Sequence, residues 1–113
     1  MHELSLAGGI LRVLEQTQER DPFERVVHLR LEAGALSGVD ISSLRFALEA
    51  VAPGTCLENA AIDIDEPDAT AWCMQCSQSV KIKSRLDPCP ICAGFQLQAT
   101  SGTELRIMEL QVV

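Results

Sequence analysis

Two Cys-x-x-Cys pairs constrain what this chain can fold into more than any other feature of its sequence. Cys73 and Cys76 form the first pair, Cys89 and Cys92 form the second, and twelve residues separate the pairs. Each pair can form a tight turn that points both sulfurs at one ion, and the segment between them can form a hairpin. Four thiolates satisfy tetrahedral Zn²⁺ and leave no open coordination position. The spacing therefore predicts a structural zinc site.

The same four sulfurs admit other uses, which the sequence leaves open. Two disulfides would use them in an oxidising compartment, and a rubredoxin-like iron centre would take the same four ligands. A thioredoxin-type redox role for one pair is weaker, because a single metal site explains both pairs. The fifth cysteine, Cys56, lies outside both pairs. We expect it to be a small buried apolar residue.

The rest of the chain alternates between helical and strand patterns. With 113 residues, 47% of them apolar, the chain can form one modest core. The apolar spacing predicts two helices, at residues 4–18 and 41–51, the second capped by Asp40. Alternating residues predict three strands, at 27–32, 60–65 and 104–113. The predicted fold class is therefore α+β, with two helices and a three-stranded sheet.

The cysteine-rich segment is predicted to be a zinc-ribbon module inserted before the last strand. Residues 68–100 contain four of the five cysteines and few large aliphatic side chains. Such a segment is not expected to fold around a core of its own, so a metal must hold it together. We predict a zinc-binding ribbon at 68–100 and an α/β domain formed by 1–67 and 101–113.

Composition excludes several classes of function. Nine Lys and Arg against 16 Asp and Glu give a net charge of −7, and three Phe with one Trp are the only aromatic residues. Both features disfavour nucleic-acid binding. No segment has the roughly 20 apolar residues of a membrane span, and the N-terminus does not resemble a secretory signal. We therefore expect a cytoplasmic protein without membrane contact. No nucleophile–base pair is visible, so no enzyme is predicted.

The first three residues form a possible chelating group. The Met1 amine, the deprotonated amide nitrogen of His2 and the His2 imidazole can close two fused chelate rings around one ion. Glu3 can add its amide nitrogen or its carboxylate. Planar nitrogen and oxygen donors suit Ni²⁺ or Cu²⁺ better than Zn²⁺. A histidine near a terminus is more often simply solvated. A metal bound here would be exposed and easily released, as in a carrier.

Several segments together resemble one known family. They are the N-terminal Met-His-Glu followed by Leu4-Ser5-Leu6, the helix within 38–53, the turn Pro53-Gly54-Thr55, the insert ending Cys89-Pro90-Ile91-Cys92, and the strand at 104–107. Over essentially its whole length the chain resembles the HypA/HybF family of hydrogenase maturation nickel chaperones.

The resemblance implies a function and a set of ligands. It implies transient Ni²⁺ binding by His2, with Glu3 beside it, and structural Zn²⁺ binding by the four paired cysteines. Nickel would pass to the precursor of the hydrogenase large subunit with a HypB-type GTPase as partner, and in some organisms urease is also served. Two departures from the family pattern are present. The insert lacks the histidine that some relatives have, and Ala93 replaces a common glycine after the last cysteine. The complete nickel coordination sphere therefore stays open.

A second hypothesis is a zinc-ribbon module that binds proteins or nucleic acids. Lys81, Lys83 and Arg85 form a small basic patch between the two cysteine pairs. The overall charge of −7 opposes nucleic acid as the partner. The other histidine, His28, is expected on the strand face opposite Leu29 and Leu31.

Overall fold

A computed structural model describes residues 2–113 of the chain. These residues form two α-helices and six β-strands: α1 (His2–Arg20), β1 (Val26–Ala33), α2 (Ile41–Val51), β2 (Ala61–Asp65), β3 (Ala69–Cys73), β4 (Gln78–Ile82), β5 (Leu97–Ala99) and β6 (Leu105–Val112). The strands make two three-stranded sheets, in the orders β2-β1-β6 and β4-β3-β5. The predicted α+β class, with two helices and a three-stranded sheet beside a cysteine-rich insert, is confirmed. The sequence predicted a hairpin in that insert, and β5 adds a third strand to it.

The described residues group into two compact units. The helical unit consists of residues 2–31, 40–64 and 107–113, and the cysteine unit consists of 32–39 and 65–106. Both helices belong to the helical unit, whereas β3, β4 and β5 belong to the cysteine unit. Strands β1, β2 and β6 contribute residues to both. These units are defined by their contacts and do not show which metal each one binds. The predicted division into a zinc-binding ribbon at 68–100 and a nickel-binding domain therefore stays a prediction.

The helical unit has an aliphatic core. α1 buries Ala7, Ile10 and Leu14, which lie three and four residues apart and therefore share one stripe of the helix. Leu4 and Val13, two apolar residues of the same helix, are exposed. The large side chains that are fully buried in this unit are Leu14, Val26, Leu29, Leu31, Leu44, Leu48 and Leu57.

Asp40 starts α2 as its sequence position predicts. Its backbone is extended, and its side chain accepts a hydrogen bond from the Ser43 amide at 3.0 Å. This bond satisfies one of the N–H groups that have no acceptor within the helix. The helix ends at Val51, and Gly54 then takes a left-handed conformation with φ of 79°. The predicted end of the second helix at residue 51 therefore matches the structure, and the turn that contains Gly54 follows it.

The cysteine unit contains a small core of its own, which the sequence did not lead us to expect. β3 runs antiparallel to β4, with Ala69 opposite Ile82, and antiparallel to β5, with Cys73 opposite Leu97. One face of this sheet is buried, with the core residues Leu36, Ala69, Ala71, Cys73, Val80, Ile82 and Cys89. Leu36 comes from the 32–39 segment, far from the cysteines in sequence. That residue supplies the one buried leucine of this core.

Two glycines allow the 32–39 segment to approach the sheet. Leu36 donates its N–H to the Gly102 carbonyl at 2.8 Å. Gly102 has a φ of 84°, and a Cβ placed on it would lie 2.6 Å from the Cα of Ala69. A Cβ on Gly34 would in turn collide with the Gly102 backbone. Backbone this close to backbone leaves no room for a side chain at either glycine.

The length and apolar character of the helices can be compared with those of a membrane span. Among the described residues, no helix is both long and apolar enough to cross a bilayer.

Candidate metal centres

The four paired cysteines converge in the cysteine unit. Their sulfurs all lie within 4.8 Å of one another. The Cys73 and Cys92 sulfurs are 3.7 Å apart, and the Cys76 and Cys89 sulfurs are 3.9 Å apart. Cys73 and Cys89 are buried, whereas Cys92 is exposed at the surface. The cluster therefore has two buried members, and at its exposed member the Cys92 sulfur lies 3.3 Å from the side-chain oxygen of Gln75.

The two cysteine pairs form turns of the same design. Ser77 donates its N–H to the Cys73 carbonyl at 2.8 Å, and Ala93 donates to the Cys89 carbonyl at the same distance. Both donors have left-handed backbones, with φ of 51° for Ser77 and 62° for Ala93. In each pair a backbone N–H also points at the first sulfur, from Cys76 and from Ile91, at 3.4 Å. Such N–H groups stabilise thiolate sulfurs.

The spacing of the sulfurs fits one tetrahedral ion. With Zn–S distances of about 2.3 Å, a regular tetrahedron has S–S edges of about 3.8 Å, which matches the distances of 3.7 and 3.9 Å. A disulfide would need the sulfurs about 2.05 Å apart, and all five cysteines are free thiols. Among the described residues, this is the one group of three or more potential ligands close enough to share an ion.

The surroundings of the four thiols make their acidities unequal. Backbone N–H groups of Cys92 and Ile91 lower the pKa of the Cys89 thiol to about 7. The neighbouring Cys92 thiol, together with burial, raises the pKa of the Cys76 thiol to about 12. The surroundings of Cys89 thus favour a thiolate, whereas those of Cys76 oppose one. A divalent cation resolves this conflict, because coordination deprotonates thiols.

The predicted nickel residues lie at the start of α1. His2 is the first residue of the helix, its side chain is 65% exposed, and its Nδ1 lies 3.8 Å from a Glu3 carboxylate oxygen. The Met1 amine, the third predicted donor, lies outside the described residues. The imidazole is therefore accessible and has an acidic neighbour.

Glu3 makes a contact that the sequence did not reveal. Its carboxylate accepts a hydrogen bond from the Asp40 backbone N–H at 3.2 Å, and its side chain is only 21% exposed. This bond is the main reason that the pKa of Glu3 is lowered. Asp40 was predicted only as a helix cap. The two residues are 37 positions apart, so no local pattern could have shown that they meet.

The remaining histidine and cysteine belong to neither of these two groups. His28 Nε2 lies 2.6 Å from an Asp63 carboxylate oxygen, which joins β1 to β2. Its side chain is half-buried on the strand, as its alternation with Leu29 suggests. Cys56 is buried, and burial raises the pKa of its thiol. The expectation that Cys56 is a buried apolar residue is confirmed.

Comparison with known proteins identifies the family. A family model described as hydrogenase/urease nickel incorporation, metallochaperone, hypA matches residues 1–112. The hydrogenase maturation factor HypA of Cupriavidus necator is 58% identical over 112 residues, which cover 99% of this chain and 94% of that protein. This chain belongs to the HypA family. The HypA of Polaromonas naphthalenivorans is 53% identical over 99% of this chain and 97% of its own length.

A solved structure shows the same fold. The solution structure of the Ni metallochaperone HypA from Helicobacter pylori matches with a TM-score of 0.68 at 20% identity. The match covers 98% of this chain and 97% of that one. The resemblance predicted from the sequence is therefore confirmed, and so is the prediction that the chain is no enzyme, because HypA proteins are metallochaperones.

Proposed function

We propose that this chain is a nickel metallochaperone for hydrogenase maturation that binds Ni²⁺ at Met1, His2 and Glu3 and passes it to the precursor of the hydrogenase large subunit. Membership of the HypA family supports nickel as the cargo and hydrogenase maturation as the process. The observation that carries the choice of site is the position of His2 as the first residue of α1.

The helix start makes backbone nitrogens available to a metal. The first four N–H groups of an α-helix have no acceptor within the helix. Because α1 begins at His2, the amides of His2 and Glu3 can be deprotonated and bind an ion without breaking a helical hydrogen bond. Together with the exposed imidazole, they offer the planar nitrogen donors that suit Ni²⁺.

The charge at this position favours anionic donors. The N-terminal end of a helix carries a partial positive charge, which disfavours a bare cation. Deprotonated amides and the Glu3 carboxylate offset that charge. Because Glu3 is held by the Asp40 amide, its carboxylate is fixed beside His2 whether or not it coordinates the ion. A site that balances these opposing charges is suited to release its ion to a recipient.

We propose that the four paired cysteines hold one structural Zn²⁺. Their sulfur spacing matches a tetrahedral ion, and four thiolates leave no coordination position for a substrate. The zinc therefore fixes the shape of the cysteine unit, while the N-terminus carries the exchangeable metal. The alternative, a zinc ribbon that binds nucleic acid, is supported only by the short basic segment at 81–85 in a chain of net charge −7.

The partners follow from the proposed transfer. A HypB-type GTPase would take part in the hand-off to the hydrogenase precursor, and urease maturation factors are a second class of recipient, consistent with the family description. We place the chain in the cytoplasm, where the five free thiols would remain reduced.

The experiment is a nickel titration of tag-free, zinc-loaded protein, with zinc measured before and after. The test variant is His2→Ala, and the matched control is His28→Ala, which makes the same change at the only other histidine. We expect wild type and His28→Ala to bind one nickel ion with a planar-type absorption spectrum. His2→Ala should fail to do so while keeping its zinc.

Two results would contradict the proposal. Equal nickel binding by both variants would remove His2 from the site, and nickel uptake that expels zinc would place the cargo in the cysteine cluster. Transfer is then measured with nickel-loaded protein and purified hydrogenase precursor. If the precursor gains as much nickel from His2→Ala as from wild type, nickel delivery does not depend on the N-terminal site.

A further inference from the structure

The cysteine unit carries a cationic surface that the proposed function does not use. Lys81, Lys83 and Arg85 lie within five residues and are all exposed. Within residues 2–113, none of the three side chains forms an ion pair or a hydrogen bond. Free cations in such a cluster are notable in a chain with a net charge of −7. This surface therefore has a local charge opposite to that of the whole protein.

Lys81 lies in β4, the strand at a free edge of its sheet, and Lys83 and Arg85 follow directly after that strand. β4 is an outer strand in the order β4-β3-β5, so its outer edge presents N–H and C=O groups without partners. No backbone hydrogen bond joins Gln78–Ile82 to any described segment other than β3. Lysines on such an edge repel a second copy of the same strand and attract an acidic one.

A cleft with a mixed polar and apolar lining lies at the Ile82 end of β4 and reaches across to β5. It has a volume of about 120 Å³ and is lined by Leu36, Ile82, Arg85, Asp87, Phe95, Leu97 and Ala99. Phe95 is 72% exposed, and Leu86 in the neighbouring turn is 85% exposed. Exposed side chains of this size next to a cleft are typical of a contact surface.

The turn beside the cleft is ordered by Asp87. Its carboxylate accepts hydrogen bonds from the backbone N–H groups of Lys83 at 2.9 Å and Ser84 at 3.2 Å. The negative charge of Asp87 is therefore engaged by the backbone of the turn. The same bonds fix the direction in which the turn leaves β4.

We propose that the outer edge of β4, with the adjacent cleft, is a docking surface for an extended acidic segment of a partner protein. The segment would add a strand to β4, its carboxylates would face Lys81 and Lys83, and an apolar side chain would enter the cleft beside Phe95. Backbone pairing at a sheet edge supplies affinity, and alternate side chains supply specificity. The proposal rests on the proposed function only in that a metallochaperone must contact a recipient.

The test uses a fluorescein-labelled hexapeptide of alternating Asp and Leu, with binding measured by fluorescence polarisation. The test variant is Lys81→Glu/Lys83→Glu. The matched control is Arg12→Glu/Arg25→Glu, which changes the formal charge by the same four units at two exposed arginines of the helical unit. We expect about tenfold weaker binding for the test variant and less than about twofold for the control. A peptide with Ser in place of Leu should also bind more weakly.

Each other outcome has a defined meaning. Equal weakening by both variants would show a general charge effect and overturn the proposal. So would wild-type affinity for the peptide that does not fall as salt is raised. Oligothymidylate that binds more tightly than the peptide, and loses binding in the test variant, would make the surface a nucleic-acid site. Zinc content confirms that the test variant is folded, and Lys81→Gln/Lys83→Gln should show a smaller loss if Lys81→Glu/Lys83→Glu is unstable.

The two proposals can fail separately. The Lys81→Glu/Lys83→Glu variant should still bind one nickel ion, and His2→Ala should still bind the peptide. Loss of peptide binding in His2→Ala would mean that the peptide docks at the N-terminus, which overturns the assignment to β4.

Discussion

Removal of the structural metal is expected to unfold the cysteine unit and leave the helical unit folded. The distribution of buried side chains is the reason. All seven of the large aliphatic side chains that are fully buried lie in the helical unit. In the cysteine unit, the largest fully buried side chains are those of Cys73 and Cys89, which are themselves proposed metal ligands. The core of that unit therefore depends on its ion.

The magnitudes support a selective effect. Complete burial of a large aliphatic side chain contributes about 1.5–3 kcal/mol. The seven in the helical unit thus contribute roughly 10–20 kcal/mol. The large aliphatic core residues of the cysteine unit are Leu36, Val80 and Ile82, which contribute roughly 5–9 kcal/mol. A structural zinc ion contributes about 10 kcal/mol or more. Loss of the ion removes more than half of what stabilises the smaller core.

The chain carries separate optical probes for the two units. Its single tryptophan, Trp72, lies in β3 next to Cys73, so its fluorescence reports on the cysteine unit. Both helices lie in the helical unit, so far-ultraviolet circular dichroism reports mainly on that unit. Trp72 is already 42% exposed in the folded unit. After chelation under reducing conditions, we therefore expect a further, limited shift of its emission to that of a fully solvated indole, while most of the helical signal remains.

Variants separate zinc loss from thiol loss. Cys73→Ser should reproduce the effect of chelation without a chelator, whereas Cys56→Ser should retain zinc and the native Trp72 emission. Simultaneous loss of the helical signal would show that the two units are not independently stable. Unchanged Trp72 emission in protein shown to lack zinc would refute the argument from burial.

Three further predictions concern two glycines and the acidity of Glu3. In thermal denaturation, Gly8→Ala should raise stability by about 0.5–1 kcal/mol, because Gly8 lies inside α1 with nothing within 4 Å of an added Cβ. Gly102→Ala should lower the midpoint of the Trp72 transition by the equivalent of at least about 1 kcal/mol, because φ is 84° and Ala69 blocks a side chain. The lowered pKa of Glu3 means that its bond to Asp40 adds stability above the ordinary glutamate pKa and loses it as pH falls through the lowered value. The Asp40 amide resonance should therefore titrate with a midpoint below the ordinary glutamate range, and an ordinary midpoint would show that the bond is absent.

The sequence predicted most of what depends on short-range patterns. Both helices and the Asp40 cap follow from apolar spacing and residue type over fewer than twenty positions. The convergence of the four sulfurs follows from the CxxC spacing, because each pair closes its own turn. Residue 93, where the family commonly has a glycine, keeps a left-handed backbone in the second cysteine turn although it is an alanine here. Local rules were sufficient wherever the partners are close in sequence.

Contacts between distant segments could not be predicted in this way. Leu36 enters the core of the cysteine unit because Gly34 and Gly102 let two backbones meet, and these glycines are 68 positions apart. Neither has a pattern that distinguishes it from a turn glycine. The three-residue strand β5 is also too short for alternation to show, and only pairing with β3 defines it.

The two proposed metal sites differ in the way that their roles require. In the cysteine cluster, four side chains supply every ligand, two of them are buried, and backbone N–H groups fix the sulfurs before the ion binds. At the start of α1, the donors include backbone nitrogens and an exposed imidazole, and the one ordered carboxylate is already engaged by Asp40. A preorganised, closed site holds its metal, whereas a site that must deprotonate amides to bind loses its metal when those amides regain protons. Nickel release should therefore accelerate as pH falls, at values where the zinc is still retained. Release of both metals over the same pH range would contradict this division of roles.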